Sequence, residues 1–161
     1  CKLAEVSIGY EDGVQQVYLN GENVTSKLRE EAVGNMASIS SAIPEVRAQL
    51  LELQRELART KDVVMDGRDI GTNILPNANV KIYLTASVET RAKRRYFELI
   101  EKGVACDLKE IERDIMERDT RDMNREIAPL KQAEDAVLVD TTEIGLEESI
   151  ALMINTIKER I

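Results

Sequence analysis

The chain has 161 residues, 43% of them hydrophobic, enough for one soluble globular domain with a real core, or for a core with a small appendage. A formal net charge of −8 repels a phosphate backbone and argues against nucleic acid as a partner. There is no histidine, so imidazole drops out of every catalytic scheme; no apolar run has the length of a membrane span, and none resembles a cleavable signal.

The chain opens with "CKLAEV", without an initiator methionine, and reads as a fragment. Cys1 and Cys106 match no metal or redox spacing, so reduced thiols in a cytosolic setting are expected. In "AEVSIGYEDGVQQVYLNGENV", Val6, Ile8 and Tyr10 alternate with polar residues, and Asp12-Gly13 and Asn20-Gly21 supply tight turns, so a small antiparallel β meander is predicted. A weakly helical stretch at about 29–41 follows. Pro44 then opens a clearer helix with Val46, Leu50, Leu53 and Leu57 on one face and Arg47 off that stripe.

The runs "VVMD", "VKIYLT" and "AVLVD" are short, apolar and rich in β-branched residues, as strands buried on both faces tend to be. Helical patterns separate them. Ser87 is placed to cap a helix ending at Lys102-Gly103, and Asp107 with Glu110 forms a capping-box-like start for the next. A last helix near 146–161 carries Leu146, Ile150, Met153 and Ile157 on one side. The alternation after Val63 predicts an α/β class with a parallel sheet, the meander being an appendage.

Two constellations carry chemistry. In open α/β sheets ligands bind beyond the carboxyl ends of strands, and "DGRDIGT", from Asp66, leaves such an end. Gly67 and Gly71 permit close backbone approach, and Arg68 offers a planar fork for phosphate or a carbonyl edge. The alternative is a plain turn with a local Arg-Asp pair. In the helix starting at Asp107, the stripe Leu108, Ile111, Ile115 continues into Arg118, Asp122 and Arg125, so one face turns from apolar to ionic and would suit a site closing over phosphates. The alternative there is a solvated face of i,i+4 pairs. Arg94-Arg95 reads as an exposed helix face that could reach a triphosphate from a lid.

The segments "DGRDIGT", "PNANVKIYLTAS", "RAKRR", "KG", "ERDTRDMNREIAPL" and "DAVLVDTT", in this order and spacing, resemble the bacterial cytidylate kinase family over nearly the whole chain. The family begins with a strand and a glycine-rich phosphate loop ending in Gly-Lys-Ser/Thr, and this sequence contains neither. The resemblance implies a nucleoside-monophosphate-kinase-like (P-loop NTPase) parallel sheet with flanking helices, incomplete at its N-terminal strand, plus the β meander. It implies a nucleotide-monophosphate-binding insert at 1–60, and an α/β core at 61–161 with lid-like helices at about 91–126. The implied activity is phosphoryl transfer from ATP to CMP or dCMP, with Mg2+, in the cytoplasm. Ser38, Arg47 and Asp69 would then read cytosine, Arg68 and Arg125 would grip the monophosphate, and Arg118 with Asp122 would hold the sugar. Asp66 would orient magnesium-bound water, and Arg94 and Arg121 would reach across the transferred group.

Cytosine's amino donor beside acceptors complements a carboxylate with a guanidinium and a hydroxyl, whereas uracil sets a carbonyl against the carboxylate. Lacking the loop, this chain alone is expected to be inactive until the missing N-terminal segment or another chain supplies it. A non-catalytic nucleotide-binding fragment is the alternative, and a kinase for another acceptor is a further rival. If Arg125 holds a phosphoryl oxygen, Arg125→Ala is expected to lower kcat/KM by about 3 kcal/mol and barely move thermal unfolding.

Overall fold

A computed structural model describes residues 4–161, and Cys1 lies outside that range. The chain divides into two units, Cys1–Asp62 and Val63–Ile161.

In the first unit, β1 (Val6–Glu11) pairs antiparallel with β2 (Val14–Leu19), in register from Val6 opposite Leu19 to Glu11 opposite Val14. β3 (Glu22–Asn23) pairs antiparallel with β2. Both connections are two-residue turns with left-handed backbone at each position: Asp12 and Gly13 at φ 50° and 79°, Asn20 and Gly21 at φ 51° and 82°. Such turns match the right-handed strand twist and favour Asn/Asp-Gly sequences. Thr25 Oγ1 extends the ladder by accepting from the Val17 N–H at 2.8 Å.

Two helices follow, α1 (Glu31–Ser40) and α2 (Pro44–Thr60), the latter opened by its proline. The more covered residues of α2 are Val46, Arg47, Leu51, Gln54, Arg55, Leu57 and Ala58, so Val46 and Leu57 of the expected stripe are half-buried while its Leu50 and Leu53 are 42% and 37% exposed. The turn between the helices explains part of this, because Arg47 reaches back to donate to the Ser41 carbonyl at 3.2 Å and so orients its own face inward.

In the second unit, β4 (Ile82–Thr85) and β5 (Val137–Asp140) pair parallel, Ile82 opposite Val137 through Thr85 opposite Asp140. The predicted strand at "VVMD" does not form: residues 63–66 carry no strand, and Val64 is 99% exposed. A β-branched run favours extended backbone, but a strand needs a ladder partner, and among the described residues β4 pairs only with β5.

Helices α3 (Val88–Glu101) and α4 (Leu108–Asn124) pack on each other, and α5 (Leu146–Lys158) packs on β5. Ser87 Oγ caps α3 by accepting from the Thr90 N–H at 3.1 Å. At its other end Gly103 has φ +72°, the Val104 N–H bonds the Leu99 carbonyl, and the Gly103 N–H bonds the Ile100 carbonyl, both at 2.9 Å. This is the paired pattern of a Schellman stop. Asp107 caps α4 through the N–H groups of Lys109 and Glu110, at 2.9 and 3.0 Å. The Glu110 carboxylate lies 3.8 Å from Arg113.

The expected apolar stripe of α5 is partly outward. Leu146 is 77% and Ile150 43% exposed, while Ser149 and Thr156 are buried. Their hydroxyls donate to the carbonyls four residues back, Gly145 at 2.7 Å and Leu152 at 2.9 Å, so these small side chains bury without an unmet polar group. Among the described residues no helix is long and apolar enough to cross a membrane.

Candidate functional site

The site grows from the bend after residue 66. Gly67 packs closely, since an added Cβ would fall 2.9 Å from Ile70 Cγ1 and force that side chain to shift. Asp69 then precedes a π-helical turn, Ile70–Ile74: its carbonyl accepts from the N–H groups of Asn73 at 2.9 Å and Ile74 at 3.2 Å, and the Leu75 N–H bonds the Ile70 carbonyl at 2.8 Å. Such turns are rare and concentrate at functional positions. The turn buries Asp69 to 7% exposure.

The second wall is the last part of α4 and the segment beyond it. Arg125 follows the helix in extended conformation, and the chain folds back so that the Leu130 N–H bonds the Asp122 carbonyl at 2.8 Å. Arg125 Nε donates to the Ala128 carbonyl at 2.6 Å, and its Nη2 lies 3.3 Å from Asp69 Oδ1. The Arg125 side chain is only 7% exposed.

Around these two walls the unit gathers four guanidiniums and three carboxylates. Arg68 lies 3.2 Å from Asp122 and 3.5 Å from Asp119, Arg91 lies 2.7 Å from Asp119, and Arg118 lies 3.9 Å from Asp122. Asp122 is 2% exposed. Arg91 Nε also donates to the Ala86 carbonyl, just beyond β4, at 3.0 Å, which ties the network to the carboxyl end of a parallel strand. Arg118 Nε and Asp119 Oδ1 are buried and ion-paired, yet meet no partner in hydrogen-bonding geometry. Buried groups of this kind call for a partner of their own.

Of the residues singled out from sequence, Arg68, Asp69, Arg118, Asp122 and Arg125 come together in this unit. Ser38 and Arg47 belong to the other unit and meet each other through one residue: Ser41 Oγ donates to the Ser38 carbonyl at 2.9 Å, and Arg47 donates to the Ser41 carbonyl. Ser38 is buried. Arg94 instead braces the segment after β5, donating to Thr141 Oγ1 at 3.1 Å and to the carbonyls of Thr141 and Ile144 at 2.5 and 3.1 Å. Arg121 and Asp66 are exposed. Arg95 pairs with Glu98, and with Lys102 it holds the Glu98 carboxyl down at about 2, Lys102 having the larger effect. Among the described residues no group of three or more potential metal ligands forms.

Asp119 and Arg91 were not singled out in the sequence. Asp119 carried a signal, standing three residues before Asp122 on the same helix; Arg91 carried none beyond membership of "RAKRR", because its partner lies on another element.

The cytidylate kinase family profile matches residues 2–159. The cytidylate kinase of Lactobacillus johnsonii is 49% identical over 150 residues, 93% of this chain and 65% of that protein. That of Caldicellulosiruptor bescii is 51% identical over 144 residues, 89% of this chain and 64% of that protein. That of Leuconostoc mesenteroides is 45% identical over 161 residues, 99% of this chain and 72% of that protein. The chain thus spans slightly under two thirds of the first two relatives. With the match running almost end to end and identity near half, the chain belongs to the cytidylate kinase family.

Proposed function

We propose that the whole protein transfers the terminal phosphoryl group of ATP to CMP or dCMP, an oxygen of the acceptor's phosphate forming the new P–O bond as the bond to ADP breaks. The observation that carries this reading is the gathering of Arg68, Arg118 and Arg125 around buried Asp69 and Asp122. A metaphosphate-like transition state spreads charge over its oxygens and is stabilised by positioned cations, so arginines without a nucleophile or imidazole suffice. Arg68 and Arg125 grip the monophosphate, exchanging part of their present carboxylate contacts for phosphate oxygens. Arg118 and Asp122 take the sugar hydroxyls, which supply both an acceptor for Arg118 Nε and a donor for carboxylate. Ser38, Arg47 and Asp69 read cytosine. Arg94 enters only by leaving Thr141 and Ile144, and Arg121 only from its exposed position, so both are secondary.

Magnesium, when bound with the nucleotide, would supply charge neutralisation at the phosphates. It keeps most of its waters and takes few protein ligands, so the exposed carboxylate of Asp66 would suffice to orient one of those waters. In the same reading the first unit is the monophosphate-binding insert, helices at about 91–126 act as a lid, and the setting is cytoplasmic. The sheet is of the P-loop type: β4 and the run at 63–66, which carries no strand here, are joined by a strand and phosphate loop from a further segment or chain. A second reading, a nucleotide-binding piece without catalysis, is favoured by one feature, the absence of any Gly-Lys-Ser/Thr sequence among the 161 residues.

A coupled ATP/CMP assay tests both readings. The chain alone is expected to give no turnover, and the chain extended by the relatives' N-terminal segment to phosphorylate CMP. Robust turnover by the 161 residues alone would overturn the need for completion, and an inactive extended protein would overturn the kinase reading.

A further inference from the structure

We propose that Asn73 is a positioning residue that sets the Asp69 carboxylate to receive an exocyclic amino group, and thereby governs the choice of cytosine over uracil. The inference rests on the reading of Asp69 as the residue that meets the base.

Two carboxylate oxygens are addressed from two sides. Asn73 Nδ2 donates to Asp69 Oδ2 at 3.1 Å, and Arg125 lies 3.3 Å from Oδ1. The turn brings the two side chains onto one face: the Asp69 carbonyl holds both the Asn73 and Ile74 N–H groups, and residues four apart on such a turn are neighbours, so the Asn73 amide reaches the carboxylate. A carboxylate otherwise rotates in a broad well about its last side-chain bond. With a donor at each oxygen its plane is fixed.

The chemistry of the contact bears on the choice of base. An amide N–H only donates, so Oδ2 must accept, and a carboxylic O–H cannot point at it. Cytosine offers an amino donor that suits an acceptor, and each oxygen has capacity for a second bond. Uracil offers a carbonyl at the same position, which only a carboxylic O–H or a rotated group could satisfy. Asn73 opposes both escapes. Its role matters most once Arg125 turns toward a phosphate, because Asn73 keeps its hold on Oδ2 while the guanidinium shares its donors.

The test is calorimetric titration of the full chain with CMP, UMP and ribose 5-phosphate. Asn73→Leu, close in volume and without a donor, is expected to lower the CMP-to-UMP affinity ratio about tenfold, the size of one lost charge-assisted hydrogen bond. Its ribose 5-phosphate affinity should stay within twofold of the parent. Asn73→Gln, which keeps the amide, should recover part of the ratio, and Asn73→Ala substitutes for the leucine variant if circular dichroism shows that one unfolded. A ratio unchanged in the Leu and Ala variants, while Asp69→Ala collapses it, would overturn the role of Asn73 and leave the base reading standing. A parent chain with no preference for CMP, or a preference that survives Asp69→Ala, would overturn the base reading and the inference with it.

Discussion

Arg125→Ala removes more than a ligand contact. Sequence alone places Arg125 on an ionic helix face and predicts almost no effect on unfolding; the structure puts its side chain at 7% exposure, between Asp69 and the Ala128 carbonyl. Truncation leaves the Ala128 carbonyl without a 2.6 Å donor and deprives a carboxylate of similar burial of a cation. A hydrogen bond involving a charged group contributes about 1.5–3 kcal/mol, and leaving a buried charge unpaired costs about 3–5 kcal/mol. The Asn73 amide still holds Asp69, and the 3.3 Å separation is long, so the lower part applies and the expected loss is about 2–4 kcal/mol. Urea unfolding followed by far-UV circular dichroism reads it directly. A double-mutant cycle with Asp69→Asn separates the pair from the carbonyl contact: the double variant should lose less than the sum of the singles, by about 1 kcal/mol or more. A loss below about 0.5 kcal/mol for Arg125→Ala, with no coupling to Asp69, would refute the reasoning, since that is the scale of an exposed residue.

Four further outcomes follow from other parts of the fold. Lys81, whose side chain is 8% exposed, donates to the Pro76 carbonyl and to Asp135 at 2.7 Å, and Lys81→Met should cost about 1 kcal/mol through the carbonyl alone; an unchanged urea midpoint would count against the clamp. Because Lys81 holds the Asp135 carboxyl below its ordinary value, that pair's contribution is present above the usual carboxylate range and fades as pH falls through the depressed value, so Lys81→Met should flatten the acid limb of the stability curve measured by thermal unfolding. Gly103→Ala, at φ +72° with nothing within 4 Å of the added methyl, should cost about 1–2 kcal/mol from backbone strain alone, against which a melting temperature equal to the parent's would speak. Glu98 should titrate near 2 in a carbon-detected NMR series, because Lys102 first and Arg95 second hold it ionised; a midpoint above 4 would contradict those contacts.

The parts of this fold that could be read from sequence are those set by local backbone chemistry. Asp12-Gly13 and Asn20-Gly21 specify left-handed turns, Ser87 and Asp107 carry capping oxygens, and Gly103 supplies the stop of α3, all within a few residues of what they determine. The ionic continuation of α4 was equally visible, because helical spacing alone puts Arg118 and Asp122 on one face. What sequence left open depends on distant partners. The run at 63–66 has the composition of a buried strand, but composition does not provide the neighbour that makes it one. Of the apolar stripes expected on α2 and α5, Val46, Leu57, Met153 and Ile157 are half-buried, but Leu50, Leu53, Leu146 and Ile150 are exposed, while Arg47 is held by the Ser41 carbonyl and Ser149 and Thr156 are buried with their hydroxyls satisfied within their own helix. Asp119 gained its place by meeting Arg68 and Arg91 from two other segments. Asn73 carried no signal in the sequence, since only the fold of the turn at 70–74 sets its amide on Asp69.

The central claim is that the arginines of the second unit form the seat of a nucleoside monophosphate. A 31P NMR titration of CMP with the 161-residue chain tests it without requiring turnover. The account predicts a saturable shift of the CMP phosphorus resonance, weakened by added salt and lost in the Arg68→Ala variant, provided circular dichroism shows that variant folded, since Arg68 also pairs with buried Asp122 at 3.2 Å. A resonance that stays unshifted at millimolar chain, or that shifts equally in the parent and in Arg68→Ala, would contradict it.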